Sequence, residues 1–335
     1  MPACLRSFRC PSLAPSLALA VALSGAGCGA DDATSDGALS SDAGEGGAAG
    51  GGTSAVPDTA LPPPFSPAAR VVSLALPNSV DTAREMGCDV VGAKGGSGLA
   101  PVGRLLGEGG LDEVVTRAPD GSIGLVLLFQ AAGFEAAPGA LALRAFYGDA
   151  VPGSASFTVD PTSVGDDGQS ARIAWPEAAV SALGDFETEA VPFTLTLPLG
   201  LDLPPVDLVL EHAAVRGRAA LDTIGFSLSE TFLEGYLTRD SLLALIDDFK
   251  TACSRTPPPE FCNALRAYLN PTAPPETTLN ILLALVGGYD VGVAAAGPVE
   301  CSPAARDCNA IGVCLKLSAE GVTIDGVTPA PPGGP

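Results

Sequence analysis

The sequence predicts a mainly β protein with a helical insertion, an antiparallel β-sandwich or barrel-like body behind a disordered N-terminal tether. Three observations lead there. Short segments with a two-residue apolar period recur between turn dipeptides such as Asp120-Gly121, Pro138-Gly139, Pro152-Gly153 and Asp167-Gly168. A block of helical spacing over about 240–287 interrupts this strand pattern. Residues 28–69 are Gly, Ala, Ser, Asp and Pro with little to bury, so burial cannot offset their ordering entropy.

In chain order, Arg6 and Arg9 precede the apolar run Ala14–Leu23, the pattern of an export signal over residues 1–27. The run is too short to span a bilayer, which takes roughly 20 apolar residues. Small residues then lead to Cys28. Ala26, Gly27 and Cys28 resemble the end of a bacterial lipoprotein signal, although Gly25 stands where that signal has leucine. The resemblance implies a lipid-modified Cys28 and a membrane partner. Gly29, where enterobacterial lipoproteins retained in the inner membrane carry Asp, implies the outer membrane of a bacterial envelope. The alternative is ordinary cleavage near Ser24 or Ala26 and secretion. A flexible tether of this length reaches roughly 35 Å.

The body is expected over 70–327, with a frayed tail over 328–335. Arg70–Leu76 reads as a strand, residues 99–117 have helical spacing broken at Gly109-Gly110, and Ile123–Gln130 is apolar enough for a strand covered on both faces. Leu141, Leu143, Ala145 and Tyr147 share a face, as do Ala155, Phe157 and Val159. Phe193, Leu195 and Leu197 form another such set, and Val206, Leu208 and Leu210 a fourth. In the helical block Asp240 can cap a helix with Leu242, Leu245, Ile246 and Phe249 on one face. Thr256 and the prolines after it can start a second helix, and Glu276–Val286 a third, stopped by Gly287-Gly288. Ile311, Val313, Leu315 and Leu317 return to strand, and Glu320-Gly321 reads as a turn after which Val322 and Ile324 pair back.

The whole chain has a formal net charge of −21. From position 28 onward it has 15 basic and 38 acidic side chains, and from Arg70 onward 15 and 32, a balance of −17. Such a surface repels nucleic acid and favours cations or basic partners, and it also keeps an exported protein in solution. The composition is 47% hydrophobic but only 5% aromatic, so Ala, Val and Leu must build the core.

Besides Cys28, six cysteines remain after the leader: Cys88, Cys253, Cys262, Cys301, Cys308 and Cys314. An even count in an exported chain reads as disulfides, with fifteen possible connectivities. Local spacing favours Cys253–Cys262 and Cys301–Cys308, with Cys88 reaching Cys314. No Cys-x-x-Cys pair is present, and one histidine cannot complete the common zinc sets.

His212 is the single histidine, so any triad must use it, and the chain has no Gly-x-Ser-x-Gly elbow. Lys94-Gly95-Gly96-Ser97-Gly98 lacks the closing Gly-Lys-Ser/Thr of a phosphate loop and reads as a flexible turn. Asp160, Asp166 and Asp167 are candidate calcium ligands, without EF-hand spacing. Glu177, Asp185, Glu187 and Glu189 could supply a carboxylate pair for glycoside hydrolysis, and Trp175 could stack on a sugar or plug the core.

Taken whole, the layout of leader, tether and acidic β-rich body resembles the uncharacterised predicted lipoproteins of myxobacteria. The segment Gly98–Leu106 also contributes to that resemblance, which implies no particular activity and no cofactor. The leading expectation is a lipid-anchored envelope protein that binds or scaffolds. The alternatives are an envelope hydrolase using carboxylates or His212, and a carrier holding a hydrophobic ligand at the helical block.

Overall fold

The structure, a computed structural model, describes residues 65–100, 111–119, 121–197, 206–256, 258, 262, 270, 272–302 and 307–329. The expected leader, Cys28, the tether, and the second helix after Thr256 lie outside the described residues, apart from isolated positions of that helix. Strand β1 (Ala68–Ala75) is followed by helix α1 (Val80–Met86) and a single turn, α2 (Asp112–Val115). Strands β2 (Val126–Ala132), β3 (Gly139–Ala150), β4 (Phe157–Val159), β5 (Ile173–Val180), β6 (Asp185–Glu187) and β7 (Val191–Leu197) come next. The long strands β8 (Val206–Leu221) and β9 (Phe226–Thr238) precede helices α3 (Arg239–Cys253) and α4 (Pro275–Val286). A small hairpin, β10 (Gly292–Ala294) with β11 (Gly297–Val299), leads to β12 (Ala310–Val322) and β13 (Ile324–Val327).

Among the described residues eleven strands join in one sheet, and the sheet closes on itself. The antiparallel ring runs β1, β12, β9, β8, β6, β5, β3, β2 and back to β1, closed where β3 pairs β5 and β6 pairs β8. Closure leaves no free edge around the ring. Its interior is one continuous core: Leu127, Phe129, Leu141, Leu143, Trp175, Phe193, Leu210, Phe226, Leu228, Leu233, Ile311, Val313 and Leu315 are all buried there. Trp175 stacks on Phe193 at 5.6 Å between ring centroids and donates its indole N–H to the Ala213 carbonyl at 2.9 Å. It is a core plug, 1% exposed, and no sugar can reach it.

The run read as a two-faced strand is β2. Leu125, Leu127 and Phe129 face the ring interior, while Val126 and Leu128 face a second cluster outside, under Phe65, Phe146, Phe157 and Ile324. The β4–β13 pair forms part of this outer layer, and Phe65 already packs edge-on against Phe146 at 5.3 Å. Ordered structure thus begins before Arg70. Thr328 donates its amide to the Val159 carbonyl at 2.8 Å, so the first residue of the expected tail is held too.

Two residues with left-handed backbone set the phase of the longest strands. In β8, His212 at φ 49° interrupts the two-residue period between Glu211 and Ala214. The inward set therefore passes from Leu208 and Leu210 to Ala213 and Val215, and His212 itself is only half-buried. In β9, Glu230 at φ 47° does the same: Phe226 and Leu228 point inward before it, Leu233 and Leu237 after it.

The turn expected at Glu320-Gly321 does not form. β12 continues through it, with Gly321 opposite Ala69 of β1, and β13 pairs in parallel with β4 instead of folding back. Gly321 stays in the ladder because the neighbouring β1 is there to receive it, which a local reading of turn residues cannot see. Helix α3 is capped by the Thr238 hydroxyl, which accepts from the Ser241 amide, and not by Asp240. Its Leu242 and Ile246, with Leu279 and Val286 of α4, pack into the ring core at one end. Helix α4 ends at Gly287, as its glycine pair indicated. Among the described residues no helix is long and apolar enough to cross a membrane.

Among the described residues there are three disulfides: Cys88–Cys314, Cys253–Cys262 and Cys301–Cys308. The first pins the segment after α1 to the outer face of β12. The glycine cluster beside it is no flexible turn. Gly96, at φ 86°, lies so close to Cys314 that a Cβ would come within 2.5 Å of the Cys314 Cβ. One on Gly98 would meet Ile311 at 2.0 Å, while Ser97 forms a bridge to Val313. These glycines let one backbone lie flat on another.

Removing Cys88–Cys314 by a double alanine substitution should cost about 2–5 kcal/mol in denaturant unfolding. That should exceed the loss for either local pair, because it closes a separation of 226 residues against 9 and 7. His212→Gly should leave stability unchanged or raise it by about 0.5–1 kcal/mol, since glycine adopts the left-handed backbone without strain. His212→Val, which cannot, should lower it.

Candidate functional site

The ring forks at two places, and the forks face each other. The far edge of β3 carries β5 along residues 139–145 and then β4 along 148–150. The edge of β8 opposite β9 carries β7 along 206–213 and then β6 along 216–218. β5 and β6 close the ring through each other, whereas no ladder joins β3 to β7 among the described residues. A cleft of about 830 Å³ opens there.

Tyr147, just past the β5 ladder on β3, reaches across the opening. Its hydroxyl donates to the Thr194 carbonyl on β7 and accepts from the Thr196 amide at 2.8 Å. The side chain thus replaces the missing strand pairing with one clasp. Burial pushes the phenol above its ordinary value, against the hydrogen bonds with Thr196, so it stays neutral. Behind it, the Ser163 hydroxyl accepts the Tyr147 amide at 2.8 Å, and Arg172 donates through Nε to the Val164 carbonyl at 2.8 Å. These bonds fix the turn Pro161–Ser163 as one wall. On the opposite wall the Asp207 carboxylate accepts from the Thr196 hydroxyl at 2.7 Å. Nearby on α3, burial and then the charge of Asp207 raise the Asp248 carboxyl, which accepts the Asp207 amide. Apolar atoms of Leu125, Val126, Ala145, Ile173 and Pro192 contribute to the lining.

The cleft therefore has an apolar portion and a polar rim of Thr162, Thr194, Thr196, Asp160, Asp207 and Arg172. That mixture suits holding a small molecule, and the volume is within the usual range for ligand sites. Its two carboxylates are each tied to a threonine, Asp160 to Thr162 at 2.6 Å and Asp207 to Thr196.

The other sequence candidates fall elsewhere. His212 is on the β8 bulge and does not line the cleft. Asp160 spends a carboxylate oxygen on the Thr162 amide and hydroxyl. Asp167 accepts from the Gln169 and Ser170 amides and the Ser170 hydroxyl, which lowers its carboxyl to about 2. These two hold turns together. Among the described residues, the groups of three with ligand atoms within 4.8 Å are Cys88, Glu234, Cys314 and Cys301, Asp307, Cys308, and each contains a disulfide. Asp160, Asp166 and Asp167 form no such group. Glu177 and Glu187 are exposed on the sheet, and Asp185 pairs with Arg218 at 3.1 Å.

A shallower cavity of about 410 Å³ lies on the outer face of β8, β9 and β12. There Arg216 stacks over Phe232 at 4.4 Å and makes two bonds to Glu234, at 2.8 and 2.9 Å. Lys316 approaches the same ring at 5.8 Å. The Arg216–Glu234 pair also receives the α1 segment: Glu234 accepts the Asp89 amide and Arg216 donates to the Gly87 carbonyl. The pair is a fastening for that segment and the cavity a by-product of it.

Compared with known proteins, the chain matches no family model, no curated protein and no solved structure.

Tyr147→Phe should loosen β7 from β3 and leave the Thr196 amide without its partner, at about 1–3 kcal/mol in unfolding experiments. The raised phenol gives the sign of the pH effect. Its stabilisation is fully present below the unfolded tyrosine value of about 10 and is lost as pH rises toward the higher folded value. The native protein should lose stability on that alkaline limb, and Tyr147→Phe should lose less.

Proposed function

We propose that this is an envelope-displayed binding protein, attached to a membrane through a lipid on Cys28, whose cleft beside Tyr147 receives a small, neutral, hydroxyl-bearing molecule. The observation that supports the binding role is the cleft itself. It is open between two forks of a closed ring, its rim offers hydroxyl, carboxylate and guanidinium groups, and Tyr147 holds its width. A ligand with one apolar face and several hydroxyls would meet Pro192 and Ile173 on one side and the threonines on the other.

A catalytic reading has less to stand on. Where the cleft sets a hydroxyl against a carboxylate, at Thr162–Asp160 and Thr196–Asp207, each pair is spent on holding a wall, and the histidine is used at a strand bulge. A hydrophobic carrier would need a dry cavity between the helical block and the sheet, where instead Leu242, Ile246, Leu279 and Val286 join the core. The anchored reading is supported by the apolar run Ala14–Leu23 followed by Ala26-Gly27-Cys28 and by the acidic, disulfide-bonded body.

Intact mass of the protein from its native membrane tests the anchor: the expected result is a chain beginning at position 28 with acyl additions and six fewer hydrogens for three disulfides. A soluble product starting elsewhere with an unmodified terminus would contradict it. For the cleft, the expected outcome with a panel of mono- and disaccharides is amide shifts at Thr194 and Thr196 in the native chain. These should weaken about tenfold in affinity when Thr196 and Asp207 are replaced by Val and Asn, the loss of roughly one to two hydrogen bonds.

A further inference from the structure

The ring has two dissimilar ends. At one, α3 and α4 pack into the core. The other end is made of turns: Gly133–Pro138 between β2 and β3, Ser181–Gly184 between β5 and β6, and Asp222–Gly225 between β8 and β9. The two most exposed large apolar side chains among the described residues are both there, Leu183 at 75% and Ile224 at 62%. Leu221 adds a third at 41%, and Ala136, Ala137, Pro138 and Ala182 are exposed around them. The β5–β6 and β8–β9 turns are neighbours, since the Gly184 carbonyl accepts the amide of Ala219, three residues before Asp222 in the chain, at 2.9 Å.

Charge at this end is largely occupied. The Asp222 carboxylate accepts the Ile224 and Gly225 amides at 2.8 and 2.7 Å, which lowers its carboxyl and shapes the turn that projects Ile224. Asp185 is paired with Arg218. Glu135 is the exposed acid on the neighbouring turn. Shaped this way, a polar group stabilises an apolar tip instead of masking it.

The place where the N-terminal segment enters β1 decides what these tips meet. Ala68, the first residue of β1, lies against the Asp222–Gly225 turn: a Cβ on Gly225 would come within 2.0 Å of the Ala68 carbonyl oxygen. The segment leading back to Cys28 therefore joins the body beside the apolar turns. We propose that this turn end, through Leu183, Leu221 and Ile224, rests in the interfacial layer of the bilayer that holds the anchor. The proposal rests on the anchored reading above. Separate side chains at the apices of separate turns suit a soft interface, which closes around each one, better than a rigid partner, which would need a matching flat patch. Few apolar side chains bind weakly alone, but beside an anchor that already holds the protein at the surface they need only orient it. Contact at this end would leave the Tyr147 cleft on the flank of the ring, clear of the lipid.

The test uses the chain from position 28 with Cys28→Ser and an N-terminal hexahistidine, held on phosphatidylcholine vesicles containing a nickel-chelating lipid. A fluorophore is placed at Leu183→Cys, at Ile224→Cys or, for comparison, at Asp247→Cys on the exposed side of α3, and brominated lipid is the quencher. Quenching at 183 and 224 is expected to exceed that at 247 by about threefold or more. Equal quenching at all three would overturn the proposal. In the same chain without the hexahistidine, Leu183→Ser with Ile224→Ser should lower vesicle partition about tenfold. Unchanged partition would overturn it, as would self-association in solution that this double variant abolishes, which would assign the tips to a second copy. Because the vesicle anchor is artificial, these outcomes do not depend on acylation of Cys28, which intact mass reports separately.

Discussion

Closure of the strand ring is the constraint on which the rest depends. A ring of eight antiparallel strands has no spare edge, and its interior is just wide enough for side chains to fill. With so few aromatic residues, the filling is Leu, Val and Ala around one stack of Trp175, Phe193 and Phe129. Every inward position must therefore be apolar and in phase. Where β8 and β9 are too long to stay in phase, His212 and Glu230 take up left-handed backbone and reset the count. The bulge at His212 sits beside the Ala213 carbonyl that receives the Trp175 indole, so strain at one residue accompanies satisfaction of a buried donor at another.

The same closure produces the site. Long strands whose edges exceed what one partner can cover must fork, and β3 and β8 fork toward each other. A gap between them would expose backbone groups of β7, and Tyr147 meets two of these with one hydroxyl. The cleft is thus a consequence of strand lengths, kept at a fixed width by a single side chain. The outer layers have the opposite role. The β4–β13 pair with Phe65 covers one side of the ring, and the disulfide-pinned segment around Gly96 covers another.

Much of the fold was legible because it follows local rules. β2 was readable since a strand buried on both faces needs an unbroken apolar run, and Gly287 since a helix ending in left-handed backbone favours glycine. The structure also has the two local disulfide pairs that loop spacing favoured, and Cys88 joined to the remaining Cys314. β9 was not readable: Ser229, Glu230 and Gly235 dilute its pattern, and the phase reversal at Glu230 destroys the period on which a reading depends. β8 was followed only to Leu210, because the bulge at His212 breaks its period. Gly96 and Gly98 looked like looseness because sequence does not show which backbone lies 3 Å away. The cleft left no trace at all. Tyr147, Arg172, Thr196 and Asp207 lie on four separate segments, with no spacing to link them, and Tyr147 read simply as one more member of a strand face.

Structure and sequence together describe an acidic, disulfide-fastened ring offering a clasped cleft on its flank, with an apolar turn end next to Ala68 of β1. The central claim is that Tyr147 substitutes for strand pairing between β3 and β7. Amide hydrogen exchange at Thr196 tests it most directly. Protection close to that of Leu233 and Phe232 in the β8–β9 ladder, falling by orders of magnitude when the phenolic hydroxyl is removed, is the result the account predicts. Exchange at Thr196 as fast as in an exposed turn, with or without that hydroxyl, would contradict it.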